Sequence, residues 1–311
     1  MTLDWLGLDW LTWSNSVSIW WGCLVAISAA NIALLLWLHS HFPRMTRNKT
    51  ARNWRMGAFA SEPLLLLSAA YVFGCAFRSV LPRADIQRIC LFDTWLSSVF
   101  VGRSVATIAE ICFAIQWAIV LRELANIANS DTARNISRSI VPLIVLAECC
   151  SWYAVIATDF LGNAVENSIW TATYILVAIA LLRLMTRFRG VVQLAIASAA
   201  AGIAGYVVFM ASVDVPMYLA RWQADLASGK QLFGILSGLH DVTTHWIVTH
   251  NFTPWKDEMA WMSLYFSLAV WASLALGGFG LVRHRLLACR VDATPAGRPT
   301  ALPLPIPRAS R

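Results

Sequence analysis

Seven stretches of the chain are apolar for long enough, or almost long enough, to cross a bilayer. They are Ile19–Leu38, Ser61–Phe77, Trp95–Leu121, Ile140–Thr158, Ile169–Met185, Val191–Val213 and Met259–Val282. A membrane-spanning helix needs about 20 such residues. No backbone group can stay unpaired in lipid, so each stretch is expected to be helical. The pattern predicts an all-α, polytopic membrane protein with seven transmembrane helices. Three segments follow from it: a tail 1–18, a bundle 19–282 that includes a long loop 214–258, and a tail 283–311 rich in Pro, Ala and Arg. That second tail has no apolar periodicity and reads as disordered.

Composition agrees with the pattern. Of 311 residues, 58% are hydrophobic and 13% charged, with a mean hydropathy of +0.61. Soluble domains carry about 25% charge, so a soluble enzyme is excluded. The net charge of +7 does not indicate nucleic acid, because the basic residues flank the apolar stretches. They act instead as an orientation signal. Seventeen of the 24 Lys and Arg fall in 39–60, 122–138, 183–189 and 283–311, and six fall in the alternate segments. The positive-inside rule then puts the N-terminus outside and the C-terminus in the cytoplasm of a multi-pass protein, read as one of a bacterial inner (plasma) membrane. Asp4 and Asp9, with no basic residue near them, do not suit a cleavable signal peptide. Trp5, Trp10, Trp13, Trp20 and Trp21 are expected at the outer interface.

Three charges fall well inside the stretches, away from their ends: Arg103 and Glu110 on the third, Glu148 on the fourth. A charge at the bilayer centre costs about 2.5–3.5 kcal/mol on insertion scales and so needs a partner or a cavity. Arg103, Thr107 and Glu110 share one helix face, being four and three residues apart. Rise per residue puts Glu110 and Glu148 at similar depths on antiparallel neighbours, able to face each other or share Arg103. Asp93, Asp159, Asp214 and Glu166, with Arg78, Arg83 and Arg88, sit near helix ends and could rim a mouth. Small residues four apart, Ala197, Ala201 and Gly205 on the sixth stretch and Ala269, Ser273 and Gly277 on the seventh, predict that these two helices pack together.

Loop 214–258 should contain two short helices, Met217–Leu226 and Leu232–His250, and form a lid. Asp241, His245 and His250 within it make a candidate site for a divalent metal such as zinc. The topology resembles that of the alkaline ceramidases, whose zinc is held by histidines within the helices, and that of the microbial rhodopsins. The seven stretches hold no histidine, and Met259–Val282 holds no lysine for a retinal Schiff base.

Three functions stay open at this stage. The first is a membrane-embedded hydrolase acting on a lipid or other hydrophobic small molecule, with Glu110, Glu148 and Arg103 as the catalytic cluster. The second is a small-molecule or proton-coupled transporter using the same carboxylates. The third is a sensor or assembly protein without chemistry of its own.

Overall fold

The computed structural model describes residues 14–46 and 54–279, with side chains for 14–41 and 63–279. The tryptophans at 5, 10 and 13 and the tail 283–311 lie outside the described residues. Among the described residues, seven helices are long and apolar enough to cross a membrane: Asn15–His41, Pro63–Val80, Val99–Ala128, Asp131–Ala157, Phe160–Met185, Val191–Ala227 and Phe252–Gly277. The helices that carry them are α1 (Asn15–Thr46), α2 (Trp54–Val80), α3 (Val99–Ala128), α4 (Asp131–Ala157), α5 (Phe160–Met185), α6 (Val191–Phe209), α7 (Val215–Ala227), α9 (Phe252–Leu264) and α10 (Val270–Gly277). A shorter helix, α8 (Ile235–Thr244), stands between α7 and α9.

The ends of the three central helices follow from local chemistry. Ser98, Ser130 and Asp159 cap α3, α4 and α5, accepting from the amides of Val101, Ala133 and Leu161. Each satisfies an amide that has no partner within its own helix. Asn129 and Thr158 end α3 and α4 in the left-handed conformation. α3, α4 and α5 pack side by side as consecutive antiparallel neighbours, with α2 against α3 and α1 against α2.

The sixth and seventh spans are not packed on one another as their small residues predicted. α6 lies along α5, and α10 lies against α2 and α3. Gly277 faces Ser68, where a Cβ would come within 3.1 Å, whereas Gly202 and Gly205 of α6 meet nothing within 4 Å. On α10 the small face meets α2, whereas Ala201, Gly202 and Gly205 of α6 are exposed among the described residues.

The loop is also shorter than the hydropathy pattern indicated. The sixth span continues through a π-helical turn, Met210–Asp214, into α7. The seventh begins at Phe252, so Lys256 belongs to its first turns, on the exposed side. α1 likewise runs past Leu38 and takes in His39 and His41. The second loop helix stops at Thr244, because the chain then forms a strand, β3 (Ile247–Val248). β3 pairs in parallel with β2 (Ile89–Cys90), which pairs antiparallel with β1 (Arg83–Ala84). This small sheet ties the 81–98 connection to the 245–250 segment across one end of the bundle, here termed the capped end. Phe233 N donates to Ala157 O at 3.1 Å, and Lys230 Nζ to Thr158 O at 3.0 Å, so α8 and its approach rest on the end of α4.

Candidate functional site

The site starts from one face of α3. Arg103, Thr107 and Glu110 are all turned toward α4 and α5. Four residues of helix separate Val99 from Arg103 and eleven separate it from Glu110, about 6 and 16 Å along the axis. The long arginine side chain spans that difference. Its Nη2 lies 3.0 Å from Glu110 Oε2, 2.8 Å from Glu148 Oε2 and 3.3 Å from Glu166 Oε1. Helices α3, α4 and α5 therefore each deliver a carboxylate to a single guanidinium nitrogen. All four side chains are at least nine-tenths buried.

The expected sharing of Arg103 by Glu110 and Glu148 is present, and Glu166 joins them. Sequence position alone put Glu166 with the charged helix ends. Its spacing from Asn163 and Trp170 on α5 gives the missing signal: the three share a face directed at the bundle centre. Close approach of α4 and α5 makes the third contact reachable. A Cβ on Gly162 would stand 2.7 Å from Ala154 Cβ, so only glycine permits this separation.

Neighbouring hydrogen bonds fix the carboxylates. Thr107 Oγ1 donates to Glu148 Oε2 at 2.6 Å and itself accepts from Trp152 Nε1 at 3.1 Å. Asn163 Nδ2 donates to Glu166 Oε2 at 3.0 Å, and Tyr265 Oη to Glu110 Oε1 at 2.8 Å. Tyr265 opens a second π-helical turn, Tyr265–Ala269, between α9 and α10. The wider turn alters the backbone pairing there, and Asn31 Nδ2 of α1 donates to Phe266 O at 3.1 Å. Such turns are frequent at functional sites.

Charge bookkeeping decides what the cluster can do. Three ionised carboxylates around one guanidinium would leave two uncompensated negative charges away from water. Each unpaired buried ion costs several kcal/mol. Protons or a cation must supply the balance. Glu110 Oε2 and Glu148 Oε2 both lie within 3.0 Å of the same Arg103 Nη2, so the two carboxyls stand side by side at one donor. The three glutamates also offer one oxygen each within 4.8 Å of one another, which is a set able to hold a metal ion. Arg103 Nη2 already occupies the position between those oxygens, so a divalent cation would have to displace it.

A narrow cavity of about 80 Å³ leads to the cluster from the capped end. Arg103, Glu110 and Glu166 form its inner part, and Arg78, Arg83 and Glu258 stand nearer the mouth. There Arg83 Nε donates to Asp85 Oδ1 at 2.8 Å, with Arg78 Nη2 3.6 Å from the same oxygen. Burial alone would raise the Asp85 carboxyl, but Arg78 and Arg83 prevail and hold it down at about 2. Beyond the carboxylates the aromatic rings close up. Tyr71 stacks on Phe113 at 4.7 Å, Phe113 meets Trp117, and Trp117 meets Tyr174, which stacks on Trp170 and touches Tyr206. The cluster thus has a polar approach on one side and an aromatic floor on the other.

The loop residues expected to bind metal are placed differently from the glutamates. Arg88 Nε donates to Asp241 Oδ2 at 2.7 Å, and His245 Nδ1 lies 3.0 Å from Asp241 Oδ1. His250 Nε2 lies 2.8 Å from Leu91 O. Asp241 and His245 are therefore adjacent, while the imidazole of His250 is turned to a backbone carbonyl. Arg88 also donates to Asp85 O at 2.5 Å and Val155 O at 2.7 Å. These three bonds hold Arg88 in a left-handed conformation at φ 59°, and pin the β1–β2 turn to α4 and α8.

No protein-family model, no curated protein and no solved structure matches this chain.

Proposed function

We propose that this integral membrane protein is a proton-coupled carrier of small polar solutes, with its capped end facing the cell exterior. One observation carries the reading: three buried carboxylates share the guanidinium of Arg103 at the closed end of a narrow, charged, one-sided cavity. Such a cluster exceeds its own positive charge and needs protons or a cation to balance it, the requirement a proton-coupled carrier would use. The charged lining disfavours an acyl chain, since each polar group it covered would lose its water without a new partner. The aromatic floor keeps the cluster from opening to both sides at once, as alternating access requires. The exterior placement of the capped end rests on the distribution of Lys and Arg.

A second reading has a specific feature in its favour. Glu110, which lines the cavity, and Glu148 meet on one Arg103 nitrogen, and two such carboxyls are the acid and base a membrane-embedded hydrolase would use. One experiment separates the two. The purified chain is reconstituted into vesicles holding a pH-sensitive dye, and a panel of small amines, acids, zwitterions and sugars is added outside. A solute-dependent change in lumenal pH that disappears in Glu110→Gln and Glu166→Gln is expected. Absence of any such change across the panel, or its persistence in both variants, overturns the carrier. Conversion of a solute by the detergent-solubilised protein, dependent on Glu110, establishes the hydrolase instead.

A further inference from the structure

Three polar atoms of cavity-lining residues are buried and have no hydrogen-bond partner: Arg78 Nε, Arg103 Nε and Asn163 Oδ1. Buried polar atoms in folded proteins are overwhelmingly paired, so each of these requires an account. Two are donors on guanidinium groups, and one is an amide acceptor. Arg78 is the less satisfied arginine. The nearest carboxylate oxygen, Asp85 Oδ1, lies 3.6 Å away and is already bonded by Arg83 Nε. Arg103 commits Nη2 to the three glutamates, while its Nε is left over on a side chain 8% exposed. Asn163 spends its Nδ2 on Glu166, and its Oδ1 is left over.

The unmet needs are thus of both signs. The two arginine Nε groups call for an acceptor, best a carboxylate, with which arginine makes its strongest bonds. Asn163 Oδ1, beside Glu166, calls for a donor, best an ammonium. The charges on the wall are mixed in the same way, with Arg78, Arg83 and Arg103 against Asp85, Glu110, Glu166 and Glu258. A bare anion would meet the glutamates, and a bare cation would meet the arginines. A zwitterion matches the mixed charges of the wall at both ends and adds no net charge to a site that already holds too many carboxylates. Size sets a further limit. A cavity of about 80 Å³ takes about three waters at about 30 Å³ each, which admits a solute of only a few heavy atoms, on the scale of the smallest amino acids.

We infer that the cavity binds a small zwitterion bearing one carboxylate and one ammonium, with its carboxylate toward Arg78 and Arg103 and its ammonium toward Asn163 and Glu166. This rests on the carrier reading and names the class of solute.

The test measures thermal unfolding of the full chain in detergent while glycine or β-alanine is titrated, with acetate and methylammonium as single-ended probes. A saturable rise in melting temperature is expected for a zwitterion, with a midpoint about tenfold or more below that of either probe. Loss of one charged hydrogen bond accounts for a factor of that order. Arg78→Gln should raise the midpoint by about tenfold or more. Arg78→Lys should recover part of it, because a donor and the charge remain. Arg134→Gln, at the opposite end of α4, controls for general effects of losing an arginine and should bind as the unaltered chain does. Failure of both zwitterions to shift unfolding, an equal shift by acetate alone, or indifference to Arg78→Gln overturns the inference. A vesicle lumen that changes pH with a different solute, while glycine and β-alanine do not bind, sinks this inference and leaves the carrier reading standing.

Discussion

α3 carries two polar centres within the membrane, with Gln116 six residues, about 1.7 turns, beyond Glu110, and they are built on opposite rules. At the deeper centre Gln116 Nε2 donates to Leu64 O at 3.1 Å and Ser273 O at 3.3 Å, while Ser273 Oγ donates to Gln116 Oε1 at 2.7 Å. Ser68 Oγ adds a bond to Ser273 O at 3.1 Å. Every group there is neutral, and none of the three side chains has an unpartnered atom. The centre joins α2, α3 and α10. At the Arg103 centre the groups are charged, the charges do not balance, and Arg103 Nε, Glu148 Oε1, Ser151 Oγ and Asn163 Oδ1 lack partners. A polar network whose purpose is packing is complete without visitors. One that is incomplete at the end of a cavity is what the proposed binding of a solute requires.

The comparison is broken most forcefully at Arg103. Arg103→Leu removes the guanidinium and leaves three carboxylates around a gap. Loss of one partner from a buried ion cluster costs about 3–5 kcal/mol, because the remaining charge stays buried. Denaturant unfolding in detergent should show a loss of that order. Adding Glu110→Gln, Glu148→Gln and Glu166→Gln to the same chain should recover most of it. A quadruple variant no more stable than Arg103→Leu would mean that Arg103 acts by packing, as Gln116 does, and the contrast between the centres would vanish.

The neutral centre predicts a smaller effect of another kind. Gln116→Leu keeps the volume but leaves the Ser273 hydroxyl to its weaker contact with Ser68 Oγ at 3.3 Å. A lost neutral network bond costs about 1–2 kcal/mol. The same unfolding measurement should show that loss, while solute-dependent pH change in vesicles should persist at the level of the unaltered chain. Abolition of that change by Gln116→Leu would make the deeper centre part of the transport path.

Much of the Arg103 centre was legible from residue spacing. Arg103, Thr107 and Glu110 share a face by helical arithmetic alone, and rise per residue places Glu148 at their level. Glu166 was not legible. Six residues from the start of α5 it looks like a hydrated helix end, and only the close approach at Gly162 and the reach of Arg103 bring it inside. The span count was legible because a bilayer imposes length and apolarity directly on the chain. Helix partners were not, since small residues show that a surface can be approached but not by what. Nor was the end of the loop helix: Trp246, Ile247, Val248 and Thr249 are strong strand formers, but so short a run does not show that it pairs with β2.

Glu166→Gln should change stability least and function most. Glutamine keeps the shape of the side chain and can still accept from Asn163, and Arg103 retains Glu110 and Glu148. Removing one carboxylate also lowers an excess of negative charge that the fold must otherwise neutralise. The expected change in unfolding free energy is therefore within about 0.5 kcal/mol, in the range of substitutions that break no packing or network. Yet Glu166 faces the cavity, where a proton from the capped end would first meet the cluster. Loss of that carboxyl should abolish solute-dependent pH change while leaving zwitterion binding measurable by thermal shift, weakened to the extent that the ammonium relied on Glu166. That split, stability intact and proton movement gone, has no counterpart at Gln116. A centre that existed for packing would show the reverse: stability lost in proportion to the bonds removed, with proton movement following only as the fold fails.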